Sequence, residues 1–367
     1  MLQKNCAMIT TFKVSNFKPN SLLILFLITA CFLFGQKRNK LLIIGIDGCR
    51  SDALELAKTP TIDSLIANGI FTKTSWHLGK TKSGPGWSSM LTGVWDHKHK
   101  VNDNKFTNHN FSTFPFFPEY VKRTNSDFQS LLVVGWEGLF DNASTNGWGK
   151  CLFGENDEDC LVKTVNQLQN FDADLVMIHF DAVDFTGHTS GFELNNPKYI
   201  KAIEKVDKQI RVLMNALQKR KNFKNENWLI LSSTDHGGKG LNHSGSSIQE
   251  RKIWWLASSP DLPIIEISSD DPGSTYYKEL PLKKELSNYS PGIVDIAVTA
   301  LDHLIPNLTE AQLSEWKLDG KSWLHFNPAN LNGTWGEFVV QKEISSNEIN
   351  IAGKHYKMRQ ILNFEKR

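Results

Sequence analysis

A mainly parallel β-sheet covered by helices on both faces is the α/β architecture that this sequence predicts. Three observations carry it. Continuous apolar runs at 41–46, 131–134, 175–178, 228–231 and 253–257 read as strands buried on both faces. Between the third and fourth of these lies a helix-period segment. Ile200, Ile203, Val206, Ile210, Leu213 and Leu217 recur at spacings of three and four, with Lys201, Glu204, Lys205 and Lys208 on the opposite side. Strands alternating with helices build parallel sheets through crossovers. Finally, 367 residues with 40% hydrophobic and 11% aromatic content supply core for one large domain or two smaller ones, and exclude a disordered chain.

Taken in order, the chain opens on Lys13 and Lys18, followed by an apolar run from Leu22 through Ile28 and Ala30 to Gly35. The run has the length of a signal-peptide core and is short for a membrane span. Three outcomes stay open: cleavage after Gly35, lipidation at Cys31 in the lipobox-like Ile28-Thr29-Ala30-Cys31, or an uncleaved anchor. Each predicts an exported chain, periplasmic or extracellular, that meets the membrane only through that terminus. The expected organisation is a signal or anchor at 1–36, a main α/β domain at 37–325 and a polar C-terminal extension at 326–367. In the extension, 337–340 and 349–351 are candidates for a hairpin. A formal net charge of +2 without a Lys/Arg stripe implies no nucleic-acid partner. Export permits disulfides, so Cys151 and Cys160, flanking the polar stretch 154–159, are able to pair, which leaves Cys49 as a buried thiol.

Within the body, 61–68 reads as a helix stopped by Gly69, and 293–304 as a later helix. The stretch Ser83-Gly84-Pro85-Gly86-Trp87-Ser88-Ser89-Met90-Leu91-Thr92-Gly93 reads as a short helix with proline near its start and Gly93 as C-cap. That puts Ser83 at a helix N-terminus, which favours anions.

Ligands of open α/β sheets bind beyond the carboxyl ends of the strands. Asp47 follows the first strand, Asp181 and Asp184 the third, and Asp235-His236 the fourth. His188 stands four residues after Asp184, and His243 follows the flexible stretch 237–240. Each residue alone also has a plain structural reading as a turn, a cap or a surface imidazole. Carboxylates and imidazoles repeated at successive strand ends point instead to a two-metal centre of zinc type, because histidines are poor partners for calcium or magnesium.

Four blocks then resemble the alkaline phosphatase superfamily, nearest to its type I phosphodiesterase and nucleotide pyrophosphatase branch. They are Gly45-Ile46-Asp47-Gly48, the stretch from Ser83 to Gly93, Asp184-Phe185-Thr186-Gly187-His188, and Thr234-Asp235-His236-Gly237 with His243. The segment 291–297 is a weaker fifth. The resemblance covers about 40–324 and implies an alkaline phosphatase-like fold with two zinc ions. It assigns Asp184, His188 and His243 to one zinc. Asp47, Asp235, His236 and the nucleophile Ser83 fall to the other, and Asn104 becomes a donor to a phosphoryl oxygen. The implied activity is hydrolysis of a small-molecule phosphate ester, phosphodiesterase-like, through a phosphoserine. Monoesterase, phosphonate hydrolase, sulfatase-like hydrolase and inactive binding protein are the alternatives. Gly84 stands where the nucleotide-cleaving branch commonly carries an aromatic residue, and Gly86 where it carries asparagine, so a nucleotide substrate does not follow. Trp87, in place of the sulfatase arginine, and Gly48, in place of a second aspartate, count against a sulfatase site.

Overall fold

The computed structural model describes residues 37–283 and 291–325, together with strand segments at 334–335, 338–344 and 360–366. The chain divides into Met1–Arg38 and Asn39–Arg367, and the fold belongs to the second unit. Among the described residues no helix is long and apolar enough to cross a membrane. The apolar run at 22–35 lies outside them, as does the expected hairpin strand at 349–351.

The strands are β1 (Arg38–Ile46), β2 (Gly69–Trp76), β3 (Ser130–Val134), β4 (Lys150–Phe153), β5 (Leu175–Phe180), β6 (Glu226–Ser233), β7 (Lys252–Ser258), β8 (Ile265–Ser269), β9 (Thr334–Trp335), β10 (Phe338–Ile344) and β11 (Gln360–Lys366). The helices are α1 (Ser51–Leu56), α2 (Pro60–Ile66), α3 (Ser83–Thr92), α4 (Asp96–His99), α5 (Phe117–Thr124), α6 (Glu137–Ala143), α7 (Asp157–Asn170), α8 (Ala182–Ser190), α9 (Pro197–Gln218), α10 (Ile248–Arg251), α11 (Asp295–Leu304) and α12 (Glu310–Trp316).

The sheet order is β4-β3-β5-β1-β6-β7-β2-β8-β11-β10-β9. β1 runs parallel to β5 with Ile44 opposite Ile178, and β3 runs parallel to both β5 and β4. β7 is antiparallel to β6 and β2, which makes the sheet mixed while still mostly parallel. The apolar runs are explained by two cores, one on each face. Leu41 and Ile43 of β1 enter one, with α3, α5 and α11. Leu42, Ile44 and Ile46 enter the other, with α1, α2, α7 and α9. Alternate residues of one strand thus meet two different layers, and none can be polar without a partner.

Two expectations need correction. Gly69 does not merely stop a helix: α2 ends at Ile66, and Gly69 opens β2. A Cβ there would lie 1.9 Å from the Ala257 carbonyl of β7, so only glycine lets the strands close up. The second concerns the thiols, since Cys151 and Cys160 are not joined. Cys151 packs against the core on one face of the sheet and Cys160 is buried in the core on the other, an arrangement no disulfide can span. Cys49 is the buried free thiol expected, its pKa pushed up to about 12 chiefly by burial.

Candidate metal centre and nucleophile

The site is assembled at the carboxyl ends of β1, β5 and β6. Asp47 is the first residue after β1, and its N–H donates to the Phe180 carbonyl at 2.9 Å. Gly48 turns the chain with φ +63°, and a Cβ there would sit 2.4 Å from an Asp184 carboxylate oxygen. Asp235 and His236 leave β6, and Gly48 N–H donates to Asp235 Oδ1 at 3.2 Å. Asp184 and His188 lie one turn apart on α8. The start of α8 is held by the Asp157 carboxylate, which accepts from the N–H groups of Asp181 at 2.8 Å and Ala182 at 3.3 Å. His243 returns on a loop closed by paired backbone hydrogen bonds between Lys239 and Asn242.

Ser83 is the first residue of α3, and Gly93 caps the helix in the left-handed region with φ +71°, as the sequence predicts. Trp87 and Gly86 set how close the helix comes. A Cβ at Gly86 would lie 2.9 Å from Asp235 Cβ, so a larger residue would drive the helix off the site.

The predicted carboxylate and imidazole ligands fall into two triads with ligand atoms within 4.8 Å of one another, Asp184–His188–His243 and Asp47–Asp235–His236, and a third such group, Asp47–His179–Asp181, shares Asp47. In the first, His188 Nε2 lies 3.2 Å from Asp184 Oδ2 and 3.0 Å from His243 Nε2. In the second, His236 Nε2 lies 3.2 Å from Asp235 Oδ2 and 3.6 Å from Asp47 Oδ1. The imidazoles of His236 and His243 stack with centroids 3.8 Å apart, which joins the triads. Ser83 Oγ lies 3.3 Å from His236 Nε2.

The residues fit a bound cation in each triad. His188, His236 and His243 turn Nδ1 to the carbonyls of Leu241, Gly237 and Thr81, at 2.8, 2.8 and 2.9 Å. A carbonyl accepts only, so Nδ1 carries the proton and Nε2 presents a lone pair. Once both rings are neutral, two such lone pairs face each other between His188 and His243, which is unfavourable unless a cation lies between them, either a metal ion or the proton that His188 retains up to about pH 9. Asp47 Oδ1, Asp184 Oδ1 and Asp235 Oδ2 are also buried without a hydrogen-bond partner. Buried carboxylate oxygens in that state are costly unless a positive charge is near.

The charge pattern agrees. Burial raises the Asp235 pKa well above the usual carboxylate range, and the neighbouring anions Asp47 and Asp184 add to it. Asp184 is also raised, by burial and then by Asp47. Asp181, beside them, is pushed up to about 7, chiefly by burial. For Asp47 burial acts in the same direction, but the His179 hydrogen bond and the His236 charge outweigh it and hold the carboxyl below the usual range.

Asn104 lies close to Ser83 through its neighbour: its Oδ1 accepts from Gly84 N–H at 2.9 Å. That bond leaves the Nδ2 donors turned away from the backbone amide. It also means that the backbone after Ser83 offers no donors to a substrate. Gly84 N–H is taken, Pro85 has none, and Gly86 N–H donates to the Lys82 carbonyl at 2.8 Å. A Cβ at Gly84 would lie 2.3 Å from the Asp103 carbonyl, so the loop bearing Asn104 fills the space a larger residue would need.

One residue at the centre escaped the sequence reading. His179 stands inside an apolar strand and looks like core, yet its Nε2 lies 3.2 Å from Asp47 Oδ2. Trp87 Nε1–H donates to the same oxygen at 2.9 Å, a contact its sequence position does not reveal. Trp76, Trp87 and Trp148 are buried in the core. His99 is structural: its Nδ1 accepts from Val101 N–H, and its Nε2 lies 3.0 Å from Ser89 Oγ.

A mostly parallel sheet with helices on both faces and candidate metal-binding triads at the strand ends defines an alkaline phosphatase-like fold. Solved structures of that fold include a 2-O GAG sulfatase, 14% identical, TM-score 0.57, aligned over 84% of this chain and 78% of the other. Another is a phosphonate monoester hydrolase from Silicibacter pomeroyi, 12% identical, TM-score 0.54, aligned over 85% and 81%. At the level of sequence, the model of the type I phosphodiesterase / nucleotide pyrophosphatase family matches residues 41–129 and 115–249, and the chain belongs to that family. Ectonucleotide pyrophosphatase/phosphodiesterase family member 7 of Rattus norvegicus is 24% identical over 253 residues, 62% of this chain and 57% of the relative. The bis(5'-adenosyl)-triphosphatase ENPP4 of Bos taurus is 24% identical over 217 residues, 54% and 47%. The chain thus spans about half the length of the curated relatives it matches.

Proposed function

We propose that the chain is an exported two-zinc hydrolase of small-molecule phosphate esters, phosphodiesterase-like, working through a phosphoserine at Ser83. The observation that carries the reading is the pair of triads, with unpaired carboxylate oxygens and Nε2 lone pairs turned inward and a serine hydroxyl at the edge of one. Asp184, His188 and His243 would hold one zinc, and Asp47, Asp235, His236 and Ser83 the other. Zinc bound there would supply Lewis acidity and lower the pKa of an attached hydroxyl or water. Imidazole-rich ligand sets favour zinc over calcium or magnesium.

The chain's own groups divide the work. Ser83 Oγ passes its proton to solvent and attacks phosphorus. An O–P bond forms as the bond to the departing alkoxide breaks, and the alkoxide takes up a proton from solvent. Asn104, pinned through Oδ1 by Gly84, has its Nδ2 protons free for a non-bridging oxygen, where charge develops. Water then adds to phosphorus and releases Ser83. The N-terminal basic-plus-apolar sequence supports export. The arginine and second aspartate of a sulfatase site are replaced by Trp87 and Gly48. Trp87 is committed to Asp47, which disfavours the sulfatase alternative.

The test is a panel of nitrophenyl monoester, diester, phosphonate and sulfate substrates on zinc-loaded protein. The expected order puts the diester first. Acid quench during turnover should trap the phosphoryl group on the peptide containing Ser83, still bearing its second ester when the substrate is a diester. Equal turnover by protein stripped of metal, or a preference for sulfate, would overturn the reading.

A further inference from the structure

We infer that His179 is a positioning residue for the inner of the two triads, Asp47–Asp235–His236, and fixes which oxygen of Asp47 is available to a cation. The inference rests on the two-metal reading above and extends it to a residue outside the ligand set. Asp47 is almost fully buried, and its two oxygens differ sharply. Oδ2 meets two nitrogens, Trp87 Nε1 at 2.9 Å and His179 Nε2 at 3.2 Å. Oδ1 has no hydrogen-bond partner and faces His236 Nε2 at 3.6 Å. An indole N–H can only donate, and an imidazole nitrogen beside a carboxylate oxygen is held as a donor. Two donors therefore occupy Oδ2 and leave the lone pairs of Oδ1 for the site.

The clamp is itself rigid. His179 is fully buried at the end of β5, in register with Gly45 of β1, so its ring comes off the neighbouring strand next to Asp47. The indole of Trp87 meets the His179 ring edge-on, with centroids 4.8 Å apart at 74°. The ring edge of Trp87 in turn needs Gly45, where a Cβ would lie 2.5 Å from it. Each donor thus holds the other in place, and both come from elements, β5 and α3, that supply no member of the triad. Outer hydrogen bonds of this kind orient ligating carboxylates, and their loss typically weakens metal affinity about 10–100-fold. The Asp184–His188–His243 triad has no such contact with His179, so the effect should be confined to one site.

His179→Ala and His179→Gln are compared with the parent protein in zinc titrations followed by calorimetry, with metal content after dialysis and the melting temperature measured on the same samples. The parent should take up two zinc ions. His179→Ala should bind one as before and the other about 10–100-fold more weakly. Its pH-independent loss should be partly restored in His179→Gln, whose side-chain amide can still donate to Oδ2. A residue that only fills the core would lower the melting temperature without separating the two affinities, and that result overturns the inference. So does unchanged binding of both ions in His179→Ala. A third zinc in the parent that disappears in His179→Ala would make His179 a ligand instead, and overturns it as well. If the parent binds no metal, the two-metal reading itself falls, which is a distinct outcome. Trp87→Phe serves as the second probe, because it removes the other donor while retaining most of the ring volume.

Discussion

The two triads are built on different foundations. The inner one, Asp47–Asp235–His236, consists of buried residues that leave the ends of β1 and β6, so each ligand is fixed by the sheet itself. The outer one, Asp184–His188–His243, takes two ligands from α8 and the third from a loop, and His188 is exposed. Ser83 and the Trp87–His179 clamp belong to the inner triad. The outer is joined to it mainly through the stacked pair His236 and His243. A rigid, desolvated site beside the nucleophile and an accessible one across from it suit a displacement in which one oxygen attacks and another departs to solvent. The attacking side can be fixed because its partner is part of the chain, whereas the leaving side must admit variable groups.

The sharpest break of this comparison is at Ser83. Ser83→Ala should reduce turnover by several orders of magnitude, the size seen when a nucleophile is removed from a working unit. It should leave metal uptake by the outer triad unchanged and cost the fold about 1 kcal/mol or less, since a single weak hydrogen bond is lost. Steady-state rates with metal content measured in parallel decide it, and wild-type rates in Ser83→Ala would move the nucleophile elsewhere.

A chelator should distinguish the triads next. The outer site, exposed and partly loop-borne, should lose its zinc first, giving a protein with about one metal per chain. His188→Ala should reach that state without chelator, with activity down roughly 10²–10³-fold if a single electrostatic contributor is lost. Simultaneous loss of both metals over the whole titration would show that the triads act as one site. A smaller effect is expected from Gly84→Ala. Its Cβ would press on the Asp103 carbonyl and displace Asn104 without touching either triad. Turnover should fall about tenfold — one misplaced donor's share — with metal affinities unchanged.

How much of this could be read from the sequence follows from how each residue is placed. Asp47, Asp235 and His236 are readable because each directly follows an apolar run, and strand ends converge by topology alone. Asp184 and His188 are readable because a separation of four puts both on one side of a helix. His179 is not, because a histidine within an all-buried strand has the same local pattern as a core residue, and its partner lies 132 positions away. β2 is missed because Thr72, Thr74 and Ser75 break the apolar run. Their hydroxyls are satisfied within the fold, as Ser75 Oγ is by the Pro291 carbonyl at 2.6 Å. The proposed Cys151–Cys160 pairing fails because sequence separation says nothing about which face of a sheet each thiol occupies.

The smallest expected effect concerns two imidazoles, His188 and His236, whose pKa values move in opposite directions. In the metal-free protein, His188 has its pKa raised to about 9, first by its hydrogen bond with Asp184. A histidine at about 6.5 when unfolded and higher when folded stabilises the fold fully below 6.5, and that contribution is lost as pH rises through 9. His188 is more than a third exposed, so solvent screens the term and the slope is shallow. His236 is the reverse case. Burial lowers its pKa, so it contributes stability above about 6.5 that is lost as pH falls. The melting temperature of metal-free protein should therefore decline gently on the alkaline side through His188, and on the acid side through His236 and the buried His243, whose pKa is lowered to about 4. His188→Gln should flatten chiefly the alkaline limb between about pH 6.5 and 9, since it removes the group that titrates there. Saturating zinc should flatten the same limb, because a metal on Nε2 excludes the proton. A His188→Gln protein that keeps the full alkaline decline would mean that the outer imidazole and Asp184 do not interact in solution, and the contrast drawn between the two imidazoles would lose its alkaline half.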